Sequence, residues 1–228
     1  MTDEKKECAA GTAQTGAATS PDGRFAKAED AYGRRALLLH SCCGPCSTSV
    51  IERLADDYNI TVFYFNPCIT DPAEYRRRRE NQIRFIEEFN RRHPCADVKY
   101  IDGEYEPAAY LERVKGLENE PEGGARCEVC FMQRLEATAK KASALGFPLF
   151  TTTLTVSPHK NYKLIAEIAR GYAAKYGVEF LDCDFKKKAG FQRSVQLSRE
   201  YGLYRQDYCG CEFSKRDAGA LRVAPDRV

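Results

Sequence analysis

A chain of 228 residues, 43% hydrophobic and 11% aromatic, has enough apolar side chain for one well-packed domain. A formal net charge of +2 excludes a generic polyanion binder, so a nucleic-acid partner has to meet a local basic patch. Eleven clustered cysteines, with no apolar leader and no stretch able to span a membrane, argue against a secreted disulfide framework and for metal or redox chemistry in the cytoplasm.

Residues 1–33 are rich in Ala, Gly, Thr and charge without periodicity, and are expected to form a disordered tail in which Cys8 is incidental. A single α/β catalytic domain is expected over 34–217, with a frayed end over 218–228. ALLLHS (36–41) reads as a buried strand cut off by Gly44-Pro45, and STSVIERLADDY (47–58) as a helix. ITVFYFN (60–66) is a β-branched and aromatic strand. Asp71-Pro72 opens a helix over 74–93, and VKYID (98–102) is a third strand. A short helix (107–117) and a loop (121–127) lead to a helix over 128–146 that closes on Gly146. PLFTTTLTVS (148–157) is a fourth strand with its exit loop, followed by a helix over 161–177. VEFLDCDF (178–185) is a fifth strand, 191–204 a last helix, and 205–214 a loop. Strands alternating with helices predict a parallel sheet with right-handed crossovers and a working site at the carboxyl ends of the strands.

Three cysteine groups fall at such ends. Cys42, Cys43 and Cys46 follow the first strand and lead into a helix, whose positive end favours thiolates. Cys127 and Cys130 form C-x-x-C, and Cys209 and Cys211 form C-x-C around Gly210. Seven thiols on three converging loops can hold an iron–sulfur cluster with three left for a second metal or redox work. A four-cysteine zinc site leaves three thiols unexplained, and a thiol–disulfide enzyme needs only one pair. Cys68, Cys95 and Cys183 read as core or surface thiols, although Cys68 belongs on the cluster's side of the sheet.

The pieces LLLHSCCGPCS (37–47), FYFNPCITDPAEYRRR (63–78), EGGARCEVCFMQRLEATAKKA (122–142), FTTTLTVSPHKNYKLI (150–165) and DFKKKAGFQRSVQLSREYGLYRQDYCGCEFS (184–214) together resemble the QueH-type epoxyqueuosine reductases. That resemblance implies reduction of the epoxide of epoxyqueuosine, in the anticodon wobble position of tRNA, to queuosine. It implies a 4Fe-4S cluster beside a mononuclear iron, or zinc as isolated, and an electron donor of unknown identity. Ligands carried over are Cys42, Cys43, Cys127, Cys130, Cys209 and Cys211. Cys46 stands where some members place an aspartate, and Cys68 where an asparagine is expected, so the division of thiols between cluster and lone metal stays open. The expected fold is a Rossmann-like parallel sheet flanked by helices, related to the HUP/PP-loop type, with a cysteine-rich metal site at the carboxyl edge.

Removing the epoxide oxygen as water takes two electrons, a Lewis acid and a proton donor. Candidates for direct catalytic roles are Cys46, Tyr208 and Asp184, with His40 and His159 as further proton donors. Substrate contacts are expected from Lys160, Lys186, Lys187, Arg205 and Tyr204, then from Arg126, Arg193, Tyr75, the arginine run 76–79 and the hydroxyls of Thr151 to Ser157. Two rivals stand against this reading. One is a PP-loop tRNA thiolase, which needs a Gly-rich SGG-x-DS loop where this chain has HSCCGPCS. The other is a zinc-stabilised tRNA-binding module, which would be colourless.

Overall fold

The structure is a computed structural model that describes residues 30–223, with side chains through residue 218. The expected tail over 1–29, with Cys8, lies outside the described residues. Five parallel strands form one sheet in the order β3-β2-β1-β4-β5: β1 (Arg35–His40), β2 (Tyr58–Tyr64), β3 (Lys99–Asp102), β4 (Leu149–Thr152) and β5 (Glu179–Phe180). This is the doubly wound order, and its switch point lies between β1 and β4.

The helices are α1 (Gly44–Leu54), α2 (Pro72–Arg92), α3 (Pro107–Arg113), α4 (Ala125–Leu145), α5 (Tyr162–Tyr176), α6 (Gly190–Glu200) and α7 (Glu212–Val223). Strand alternation divides the core. Leu37 and Leu39 of β1 join Val50, Ile51, Phe85 and Leu197 under α1, α2 and α6. Ala36 and Leu38 point the other way, onto Phe131, Leu135, Ile165 and Ala169 of α4 and α5. β1 is buried on both faces, which is why its sequence reads as an unbroken apolar run.

Local signals set most boundaries. Asp71 caps α2 by accepting from Ala73 N (2.9 Å) and Glu74 N (3.4 Å), with Pro72 in the first turn. Gly146 and Gly177 end α4 and α5 in the left-handed conformation. Several elements differ from their sequence expectation. α1 starts at Gly44, because Pro45 fits a first turn, and α4 starts at Ala125, which puts Cys127 inside the helix. β5 has two residues instead of eight, as an edge strand pairing with β4 alone. α6 stops at Glu200, and Thr153–Val156 is a 3₁₀ turn. α7 occupies part of the stretch expected as loop and frayed end; Cys211 lies just before it.

Candidate metal centre

β1 ends at His40, and the next residues carry the first thiol group. Cys43 precedes the first residue of α1 in extended conformation, and Cys46 lies in its first turn. The three sulfurs therefore sit at the positive end of the helix dipole. Sγ of Cys42 lies 3.9 Å from Sγ of Cys43, and the sulfurs of Cys42, Cys43 and Cys46 are all within 4.8 Å of one another. Tetrahedral thiolates bound to one ion at about 2.3 Å stand about 3.8 Å apart, so this spacing fits a single metal ion. Three protein ligands leave one position open, as catalytic rather than structural metal sites do. Hydrogen bonds from Cys43 and then Cys46 hold the Cys42 thiol well below its ordinary range, and the same bonds push Cys43 and Cys46 up. Thr153, on the turn after β4, accepts from Cys42 N (3.2 Å) and donates to Cys42 Sγ (3.5 Å). Gln206 Nε2 donates to Cys43 Sγ at 3.0 Å.

The second group lines one cavity: Cys68, Cys127, Cys130, Cys209 and Cys211, with Tyr110, Phe131 and Arg134 in its wall and His159 and Lys160 at its edge. Cys127 and Cys130 are three apart on α4 and share a face. Among the described residues only the Cys42 group has three ligand atoms within 4.8 Å, so the cavity sulfurs are more widely set. A four-iron cluster takes one sulfur at each of four corners, which requires wider spacing than a single ion does. Backbone and side-chain N–H groups point at these sulfurs, as they do at anionic sulfur around clusters: Gly123 N to Cys127 (3.2 Å), Ser214 N to Cys211 (3.4 Å) and Arg134 Nη2 to Cys130 (2.9 Å). The donor sets therefore fit both groups that the resemblance implies.

Arg134 is 2% exposed, and no carboxylate forms an ion pair with it among the described residues. A buried guanidinium needs a counter-charge. The sulfurs of Cys130, Cys68, Cys209 and Cys42 face it, and they outweigh burial and raise its pKa. Lys160 has the same setting. Burial lowers its ammonium pKa, but the sulfurs of Cys209, Cys42 and Cys46 raise it further. Cys42 of the first group and Cys127 of the second pack against one apolar cluster, so the two groups lie near each other.

The C-x-C loop is held from α2. Arg78, 1% exposed, donates from Nη1 to Cys209 O (2.9 Å) and from Nη2 to Tyr208 O (3.3 Å), and its Nε pairs with Glu74 at 2.6 Å. Gly210 has φ +131°, and a Cβ there would lie 2.9 Å from Ile69 Cγ1 and 3.0 Å from Arg78 Nη1. Only glycine allows this approach.

Other predicted residues have more mixed positions. His40 is fully buried, with its nitrogens on Thr152 Oγ1 (2.9 Å) and Phe65 O (3.1 Å); burial lowers its pKa to about 4, so it is a neutral structural group rather than a proton donor. Arg126 is 1% exposed and donates to Leu117 O, Glu118 O and Glu120 O, which removes it from any phosphate. Thr151, Thr152, Thr153 and Thr155 are buried and bonded internally, so they do not offer hydroxyls to a sugar. Tyr75 is buried against Tyr105, and Arg193 pairs with Glu52. The Tyr204 hydroxyl donates to Glu74, and Arg77 stacks on its ring at 3.5 Å. Tyr208 is half-buried beside Arg78. Asp184 is half-buried with Oδ1 unpaired, and Lys187 is exposed. Lys186 Nζ donates to Lys160 O at 3.0 Å, and Arg205 is exposed beside Phe191. Cys183 packs at the margin of the α1–α2–α6 core, and Cys95 is exposed on the turn after α2. Within the arginine run expected to meet substrate, Arg78 is instead buried on the C-x-C loop and Arg79 pairs with Asp102; the sequence reading missed Arg134 and Gln206, and for Arg134 the available signal was a charged residue inside an apolar helix face.

Among the described residues no helix is long and apolar enough to cross a membrane. The family model described as epoxyqueuosine reductase QueH matches residues 37–217. The chain is 43% identical over 186 residues to epoxyqueuosine reductase QueH of Streptococcus pyogenes serotype M1, covering 82% of this chain and 72% of that one. It is 43% identical over 188 residues to the Staphylococcus epidermidis protein of the same name (82% and 79%), and 38% identical over 181 residues to that of Thermotoga maritima (78% and 89%). With a family model matching nearly all of the described residues and relatives at this level of identity, the chain belongs to the QueH family of epoxyqueuosine reductases.

Proposed function

We propose that this protein reduces epoxyqueuosine in the wobble position of tRNA to queuosine, with a 4Fe-4S cluster on the cavity cysteines and a single iron on Cys42, Cys43 and Cys46. The reaction consumes two electrons and two protons, opens the epoxide to an alkene and releases the oxygen as water. The observation that carries this reading is the presence of two thiol groups of different spacing, one suited to one ion and one to a larger cluster, faced by the same two cations. When bound, the cluster supplies electrons one at a time and the lone iron polarises the epoxide oxygen as a Lewis acid.

The chain's own residues supply the rest. Gln206 and Thr153 orient the Cys43 and Cys42 sulfurs, which with Cys46 would hold the lone iron. Arg134 balances the negative charge of the sulfurs from inside the core. Lys160, half-buried in the cavity lining, presents an ammonium where developing negative charge on oxygen needs stabilising. Tyr208, with Arg78 over its ring beside the C-x-C loop, and His159, which lines the cavity, are the proton-donor candidates. Exposed Arg76, Arg77, Lys187 and Arg205 form the basic surface for tRNA phosphate.

The test is anaerobic reconstitution with iron and sulfide, followed by incubation with epoxyqueuosine-tRNA and a chemical reductant. A brown protein with iron and acid-labile sulfide that forms queuosine is the expected result. Single replacement of Cys42, Cys127 or Cys209 should abolish turnover, and full activity in all three variants would refute the ligand assignment.

A further inference from the structure

Arg77, exposed on α2, has no hydrogen bond and no carboxylate partner among the described residues. Its guanidinium carbon instead lies 3.5 Å from the centroid of the Tyr204 ring, which is van der Waals contact. The ring is firmly held. The Tyr204 hydroxyl donates to Glu74 Oε1 and Oε2 (3.1 Å each), Tyr204 N donates to Asn81 Oδ1 (3.0 Å), and Asn81 Nδ2 donates to Tyr204 O (3.1 Å). The pair also stands beside the metal centre. Gln206 donates to Cys43 Sγ at 3.0 Å, and the two residues of chain from Tyr204 to Gln206 span at most about 7 Å. Glu74 pairs in addition with Arg78, which donates to Cys209 O, so the same carboxylate braces the ring and fastens the C-x-C loop. A guanidinium plane has two faces. Tyr204 covers one, and with Arg77 exposed the other is open to solvent. Such a plane stacks on any nucleobase, and its N–H edge is still able to meet phosphate.

From this geometry we infer that the Arg77–Tyr204 pair is a stacking platform for an unpaired nucleobase that flanks the modified one in the tRNA. The inference rests on the function proposed above and adds to it the place where the RNA strand is held. A base reaches a centre as buried as Cys43 only when it is splayed out of its stack, and its neighbour then loses a stacking partner. The outer face of Arg77 replaces that partner, and the fixed ring beneath keeps the plane in position. Exposed Arg76 and Arg205, each next in sequence to a member of the pair, add positive charge for the phosphates on either side of the stacked base.

The test titrates full-length, anaerobically reconstituted protein into a fluorescein-labelled anticodon stem-loop RNA that carries epoxyqueuosine, with anisotropy read at several salt concentrations. Arg77→Lys keeps the charge and loses the plane. It should bind roughly tenfold more weakly than wild type, the worth of one stacked base, with the salt dependence unchanged. The same contact is tested from the RNA side with the protein unmutated. Of two stem-loops with an abasic residue on the 5′ or the 3′ side of the modified nucleotide, one should also bind wild type roughly tenfold more weakly. Arg77→Lys should bind that RNA as wild type does, because the partner of the lost plane is already gone. Wild-type affinity in Arg77→Lys for the intact stem-loop would overturn the inference and leave Arg77 as a phosphate contact. Equal binding of all three RNAs by wild type would overturn it too, as would losses that simply add when variant and abasic RNA are combined. A wild type that holds the stem-loop but forms no queuosine with a chemical reductant would overturn the proposed reduction and not the platform.

Discussion

Arg134 and His40 are both buried near the thiols, yet they carry opposite charge states for a physical reason. Arg134 stays protonated because a guanidinium holds its proton in any protein setting; burial lowers its pKa and the neighbouring sulfurs raise it further, and its Nη2 lies 2.9 Å from Cys130 Sγ. Replacing it with methionine leaves buried thiolates without a counter-charge, at a cost to folding stability of about 3–5 kcal/mol. The reconstituted variant should show a midpoint potential below that of wild type, since a nearby cation favours the more negative, reduced cluster; Arg134→Lys should recover part of the shift. His40, by contrast, is desolvated with Arg134 near it, and its pKa falls from 6.5 to about 4. The unfolded chain therefore binds this proton more tightly than the native one, and stability is lost as pH falls from about 6.5 to about 4. The full effect is about 3 kcal/mol. Urea unfolding of the metal-free protein across that window should show the loss, and His40→Gln should reduce it.

At the level of elements, the site depends on how the C-x-C loop is fastened to α2. The buried Arg78–Glu74 pair fixes two carbonyls of the loop, and Gly210 lets the chain pass between Ile69 and Arg78. Gly210→Ala places a Cβ into that contact and holds a non-glycine residue at φ +131°, which costs about 1–3 kcal/mol. The expected outcome is a lower thermal midpoint and impaired iron uptake, with far-UV circular dichroism unchanged because the sheet and its helices do not pass through this point. Uptake equal to wild type would show that the loop does not depend on this approach. α1 contributes differently. Its first turn brings Cys43 and Cys46 beside Cys42 by local geometry alone, and the helix dipole favours their thiolates.

For the whole molecule, the sheet order explains where the site lies. β1 and β4 are neighbours whose outgoing chains diverge at the switch point, so Cys42 after β1 meets Thr153 after β4 across the crevice. Cys68 after β2 arrives from the next strand, Cys127 and Cys130 come from α4, and Cys209 and Cys211 return over α2. Much of this was legible in the sequence. The strand–helix alternation, the caps at Asp71, Gly146 and Gly177, and the three cysteine groups are local patterns read over a few residues. The helix that follows Cys211 was not legible, because CGCEFSKRDAGA carries turn residues and charge where periodicity is sought. Nor was the burial of Arg78, Arg126 and Arg134, since a charged residue on a helix is ordinarily solvated.

By itself the amino-acid sequence determined the α/β class, the family and the candidate sulfur donors, because each rests on residue type and short-range spacing. Only the tertiary structure decided that the cysteines divide into a close triad and a wider set of five, and that a buried arginine, Arg134, stands against Cys130 Sγ. Those are distances between residues up to 169 positions apart (Cys42 to Cys211), and such distances are set by strand order and packing, which no local spacing encodes.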